Sequence, residues 1–151
     1  MKNKLMTLAA FLLVTASASA QDSPLWLRKN AISPDGEQVA FAYKGNIYVV
    51  GSDGGQARQI TTNPAYDTDP LWSPDGKSII FASYRDKSKD IYRIPATGGA
   101  PVRLTSHPGN ETPMTVLLDG NIIFSANIQQ DARYGDFPGR LQVYMIGPDG
   151  G

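Results

Sequence analysis

The stretch that decides the fold is Leu71-Trp72-Ser73-Pro74-Asp75-Gly76-Lys77, followed by the apolar run Ser78 to Ser83 and by Tyr84-Arg85-Asp86-Lys87. A second run, Asp90-Ile91-Tyr92-Arg93-Ile94, leads to Thr97-Gly98-Gly99 and then to Val102-Arg103-Leu104-Thr105. Four short apolar segments thus alternate with three turn signals. In Ser-Pro-Asp-Gly the proline presets φ at the first corner of a turn and the glycine supplies a left-handed position. Segments of this length joined by tight hairpins predict a four-stranded antiparallel meander.

The unit recurs on both sides. Ala31-Ile32-Ser33-Pro34-Asp35-Gly36 matches Leu71 to Gly76 at an offset of 40, with Val39 to Tyr43, Ile47 to Val50 and Ala57 to Thr61 as its remaining strands. A more divergent third copy runs through Leu118-Asp119-Gly120-Asn121, Ile122 to Ser125, Leu141 to Ile146 and Asp149-Gly150-Gly151. Three copies, each worth four strands and spaced by about 40 to 50 residues, are the signature of β-propeller blades. The expected fold class is all-β, with blades at about 31–61, 71–105 and 113–151, the third incomplete, forming an open part of a larger propeller. A generic β-sandwich would leave the repeated order of motifs unexplained.

Phe41, Phe81 and Phe124 hold one position of the repeat, and Tyr48, Tyr92 and Tyr144 another. Aromatics at blade period belong in the packing between blades, not in a cofactor site. The nearly continuous apolar texture of Ser78 to Ser83 fits a middle strand covered on both faces.

Upstream, Lys2 and Lys4 precede the apolar run Leu5 to Val14 and the small-residue site Ala18-Ser19-Ala20. This pattern is a secretory signal peptide, 1–20, too short to span a bilayer. An exported, periplasmic or secreted chain without a membrane anchor is expected. With no cysteine in the sequence, the fold must rest on core and ladders even where disulfides could form. Residues 21–30 lead into the first blade, where Trp26 and Leu27 would dock by packing.

The 14 basic and 14 acidic residues cancel, which argues against a nucleic-acid partner held by bulk charge. No residue cluster suggests a metal or cofactor. Gly51-Ser52-Asp53-Gly54-Gly55 lacks the lysine and helix of a phosphate loop. Asp86 and Asp90 flank Lys87-Ser88-Lys89 and read as solvated turn charges, not a calcium site. The lone histidine, His107, aligns with Asn63 of the preceding copy and reads as a variable loop residue, not a catalytic base. Asn110-Glu111-Thr112 is a formal glycosylation sequon, relevant only in a host that glycosylates.

The loops between blades carry the functional expectation. Thr61 to Thr68 aligns with Thr105 to Thr112, so Asp67 and Glu111 fall at equivalent points where the chain arrives beside the central channel. A carboxylate ring there, with Tyr66 beside it, would form a substrate channel selective for basic or amino-terminal groups. The alternative is that both carboxylates cap their own turns.

Trp72 to Lys77 with Ile91-Tyr92, Gly98-Gly99 and Arg103-Leu104-Thr105 resembles the propeller repeat of TolB-like proteins and tricorn-type peptidases. The opening Pro24-Leu25-Trp26-Leu27-Arg28, and the extended third copy with Arg133-Tyr134 and Phe137-Pro138-Gly139-Arg140-Leu141, resemble exported tricorn homologues more closely. WD-repeat signatures are absent.

The resemblance implies a large serine peptidase in which N-terminal propellers gate or guide peptides toward a PDZ-like module and a peptidase core. None of its catalytic motifs falls in these 151 residues, so no catalytic residue is assigned. Expected partners are a peptide or protein substrate and the remainder of the same polypeptide; homo-oligomerisation stays open. A non-enzymatic TolB-like periplasmic binding propeller is the alternative. A prolyl-peptidase propeller with a Gly-x-Ser-x-Gly elbow downstream is a third. A chain ending mid-blade reads as part of a longer protein whose uncovered blade faces would make the isolated piece prone to aggregate.

Overall fold

Each copy of the repeat folds into its own antiparallel sheet. The computed structural model describes residues 27–127 and 141–151. The leader, Trp26 and the Arg133 to Arg140 insertion lie outside the described residues. The first sheet comprises β1 (Leu27–Ile32), β2 (Gln38–Tyr43), β3 (Asn46–Gly51) and β4 (Gly54–Gln59), paired in that order. The second repeats it with β5 (Asp67–Trp72), β6 (Ser78–Asp86), β7 (Ser88–Pro95) and β8 (Val102–Arg103). The third pairs β9 (Glu111–Val116), β10 (Ile122–Ala126) and β11 (Gln142–Ile146).

Among the first strands β5 lies beside both β1 and β9, whereas the last strands β4 and β8 stand apart. The sheets therefore fan outward from their first strands, as propeller blades do.

The turn between the first two strands of a blade is built the same way twice. Ser33 Oγ donates to Asp35 Oδ1 at 2.6 Å, and Asp35 accepts the Glu37 N–H at 3.0 Å. Ser73, Asp75 and Lys77 reproduce both distances. These bonds hold the carboxyls of Asp35 and Asp75 below the usual value, the serine hydroxyl contributing most. Gly36 and Gly76 take the left-handed corner at φ 78° and 68°. In the third blade Leu117 and Leu118 replace Ser-Pro, yet Asp119 still accepts the Asn121 N–H at 3.0 Å and the turn survives.

Register places the repeat aromatics opposite one another. Phe41 faces Tyr48, Phe81 faces Tyr92, and Phe124 faces Tyr144, with ring centroids 5.8, 5.9 and 5.6 Å apart. The second and third blades turn this aromatic face toward the blade before them. Phe81 and Tyr92 pack with Ile79 and Ile94 on Ala40, Ala42, Ile47 and Val49 of the first blade. Phe124 and Tyr144 pack with Ile122 on Ile80, Ile91 and Leu104 of the second. Small and aliphatic side chains meeting rings let the blades approach closely. Trp72 Nε1 adds a polar tie by donating to Ala31 O at 3.0 Å.

Among the described residues, two faces stay open. The first blade's Phe41 and Tyr48 are only half-buried, and Val143 and Met145 on the third are exposed.

Candidate functional site

Antiparallel connectivity puts two kinds of connection at one end of the blades: the loops between blades, 60–66 and 104–110, and the hairpins around Lys44-Gly45 and Lys87. The inner strands start upstream of the motif that marks each repeat, at Leu27, Asp67 and Glu111, so both expected site carboxylates open a strand instead of sitting in a loop.

Asp67 is fully buried and does not cap its own turn. Its Oδ2 accepts from Arg85 Nη2 at 2.9 Å, and its N–H donates to Gly45 O at 2.9 Å, tying the second blade to the first blade's hairpin. Arg85 is held in turn by Ser83 Oγ at 3.0 Å, with its guanidinium 5.3 and 5.2 Å from the ring centres of Phe81 and Tyr92.

Glu111, 1 % exposed, occupies the same point one blade on. Burial pushes its carboxyl up; the Thr105 hydroxyl bond opposes this and the nearby Asp90 adds to it. The Thr105 hydroxyl meanwhile accepts the Ile91 N–H at 2.9 Å, so it bridges β7 to the start of β9. One oxygen of each carboxylate, Asp67 Oδ1 and Glu111 Oε2, has no hydrogen-bond partner among the described residues.

Neither carboxylate is presented to solvent: Asp67 is paired with Arg85 inside its own blade, and Glu111 is buried where β7 meets the start of β9. Asp90 also departs from expectation. It is no solvated turn charge but fully buried, with Oδ2 accepting from Arg103 Nη2 at 2.8 Å. Burial raises its carboxyl against the pull of Arg103. Asp86 does remain more than half exposed, 3.5 Å from Arg103, and accepts the Tyr92 hydroxyl at 2.8 Å. Burial first, and then the bond to Asp86, push the Tyr92 phenol up to about 12.

Tyr66 is the member of the expected trio that reaches the surface, 51 % exposed, with its ring edge-on to Tyr84 at 6.4 Å. A recess of about 430 Å³ beside it is lined by Arg28, Ala42, Lys44, Gly45 and Tyr66.

Sequence reasoning missed Lys29 and Asp69. They sit at equivalent bulges of β1 and β5, both with positive φ (47° and 54°), and pair across the inner strands at 3.4 Å. The repeat offset of 40 aligns them, but nothing in composition marks a bulge.

His107 Nδ1 accepts the Gly109 N–H at 3.1 Å within its own loop. Among the described residues no group of three or more His, Cys, Asp or Glu is placed to hold a metal, and no helix is long and apolar enough to cross a membrane.

Repeated meanders fanning from adjacent inner strands, with the aromatic face of each packed on its predecessor, make this a β-propeller segment. Residues 24–151 match the family described as the tricorn protease N-terminal beta propeller domain, and the chain belongs to that family. Among its relatives, the uncharacterized protein Atu1656 of Agrobacterium fabrum is 33 % identical over 128 residues, covering 80 % of this chain and 40 % of that protein. Tricorn protease homolog 1 of Streptomyces coelicolor is 33 % identical over 72 residues, 48 % of this chain and 7 % of the relative. The solved structure of putative TolB from Agrobacterium tumefaciens superposes with a TM-score of 0.71 at 25 % identity, covering 84 % of this chain and 47 % of that one. The chain thus spans less than half the length of these relatives.

Proposed function

We propose that this chain is the N-terminal propeller part of an exported tricorn-like serine peptidase and that it gates or guides peptides toward a downstream peptidase core. The observation that carries this reading is the family match, which runs unbroken across all three blades. The end bearing Tyr66, Tyr84 and the Lys44 and Lys87 hairpins is the peptide-facing end in this proposal. Tyr66 meets the peptide there, and Asp67 and Glu111 act as positioning residues that hold the inner-strand starts beneath it. The catalytic residues belong to other parts of the protein. Export rests on the leader pattern of residues 1–20.

The test is to express the whole gene product and follow cleavage of a peptide library, with and without the propeller. Peptidase activity whose preference changes when the propeller is removed supports the reading. A product without peptidase activity overturns it in favour of the second reading, a binding propeller, which the likeness to the TolB structure supports.

A further inference from the structure

The two ends of the blades carry opposite charge. At the end holding the turns between first and second and between third and fourth strands, Asp35, Glu37, Asp53, Asp75, Asp119 and Asp149 are all exposed. Lys77, Arg58 and Arg93 offset them in part, Arg58 from its bond to Ala96 O at 2.9 Å and Arg93 through its bond to Asp149 at 3.2 Å. At the opposite end, among the described residues, the acidic side chains are buried or engaged: Asp67 by Arg85, Asp90 by Arg103, Glu111 beneath its loop, and Asp86, itself more than half exposed, by Tyr92 and Arg103. The exposed groups described there include Lys44, Lys87, the half-buried Lys89 and the Tyr66–Tyr84 pair, with Arg28 beside Lys44 and with Asp86 as the one exposed carboxylate at that end among the described residues.

These groups form one continuous surface. Gly45, next to Lys44, backs onto the Tyr66 ring; the Tyr84 N–H donates to Tyr66 O at 3.3 Å; and the Lys87 hairpin packs on the following loop through Ser88 Oγ to His107 O at 3.3 Å and the Lys89 N–H to Asn110 Oδ1 at 3.1 Å. Lys44 and Lys87 stand at positive φ, 48° and 64°, where lysine carries strain that asparagine or glycine would relieve.

We infer that this end docks an acidic peptide segment, with its carboxylates on Lys44, Lys87 and Lys89 and its apolar side chains on Tyr66 and Tyr84. Charge complementarity sets the sign of the partner, opposite to the basic selectivity that exposed Asp67 and Glu111 would have given. Half-exposed tyrosines supply rigid amphipathic contact area at low entropic cost. A long nucleic-acid strand fits less well, because the net charge is zero and the far end is acidic. The inference deepens the peptide-guiding reading of the same end.

The experiment is direct binding, read by fluorescence anisotropy on the whole chain, with a labelled glutamate-rich peptide carrying one phenylalanine. Its lysine counterpart and a single-stranded oligothymidylate serve as comparison probes. The acidic peptide should bind more tightly than either, and the triple variant Lys44→Asn, Lys87→Asn, Lys89→Gln should weaken it about tenfold. Tyr66→Ser should weaken it as well, while Lys77→Asn at the far end leaves it unchanged. Equal binding of the lysine peptide or the oligonucleotide, no binding at all, or equal loss with Lys77→Asn overturns the inference. No cleavage is measured, so these outcomes leave the peptidase reading to stand or fall by its own assay.

Discussion

Arg103 lies 2.8 Å from the buried carboxylate of Asp90, at the two positions that Gln59 and Asn46 hold in the first blade. The equivalence extends to the backbone: Gln59 Nε2 donates to Thr61 O at 2.8 Å and Arg103 Nε to Thr105 O at 2.8 Å. The second blade thus fills this corner with an ion pair, where the first turns its Gln59 amide to the backbone and leaves the buried Asn46 Oδ1 without a partner among the described residues.

Removing one half of that pair should cost more than removing both. Arg103→Gln leaves Asp90 buried without its counter-ion and should destabilise the chain by about 2 kcal/mol, less than a fully buried pair because Arg103 is partly solvated. The double variant Asp90→Asn, Arg103→Gln copies the first blade and should recover most of the loss. Urea titrations of the two variants beside wild type check this, and a double variant as unstable as the single one would refute it.

Stability should fall on both sides of the carboxylate range. Asp35 and Asp75 are held below their ordinary value of 3.8, so their contribution is present above it and is lost as pH drops through the folded values. Glu111 and Asp90 are pushed above 4.5 and 3.8, so the folded state binds more protons and loses stability as pH rises through their folded values. Glu111→Gln should therefore melt a few degrees higher than wild type at pH 8, with the gap closing at pH 4. Parallel melting curves at both pH values, followed by circular dichroism, decide it.

The same aromatic position should carry different weight in different blades. Phe81→Ala empties a fully buried site between two blades and should cost about 3–5 kcal/mol. Phe41→Ala, on the half-buried face of the first blade, should cost less than half as much in this chain. Equal losses in chemical denaturation would mean that the open face is covered in solution.

Gly45→Ala tests the link between hairpin and surface. Gly45 has φ 81°, and an added Cβ would lie 3.2 Å from Tyr66 Cδ2. The left-handed strain should cost about 1–2 kcal/mol, and the Tyr66 ring should shift. A changed Tyr66 environment by NMR, together with weaker acidic-peptide binding, is the expected result.

The repeat, its four-strand order and its turns were legible in the sequence because each rests on local chemistry. Ser-Pro-Asp-Gly builds the same corner twice from bonds spanning two to five residues, and Phe and Tyr at blade period face each other once the hairpin sets the register. Asp67 and Glu111 open equivalent strands, β5 and β9, but their surroundings are not legible in the sequence. Arg85 reaches Asp67 from 18 residues away and Arg103 reaches Asp90 from 13, and the repeat shows no partner for either in the first blade, where Leu27 and Asn46 stand.

What the sequence by itself determined was the blade, since strand, turn and register follow from neighbours along the chain. Only the tertiary structure decided which charges remain outside, because inter-blade packing buries Asp67, Asp90 and Glu111 and leaves Lys44 and Lys87 at the surface. A carboxylate and an ammonium group count equally in a composition. Desolvation cost and the reach of a neighbouring guanidinium separate them; the first depends on how the blades meet, the second on which side chains adjacent strands of the second blade bring together.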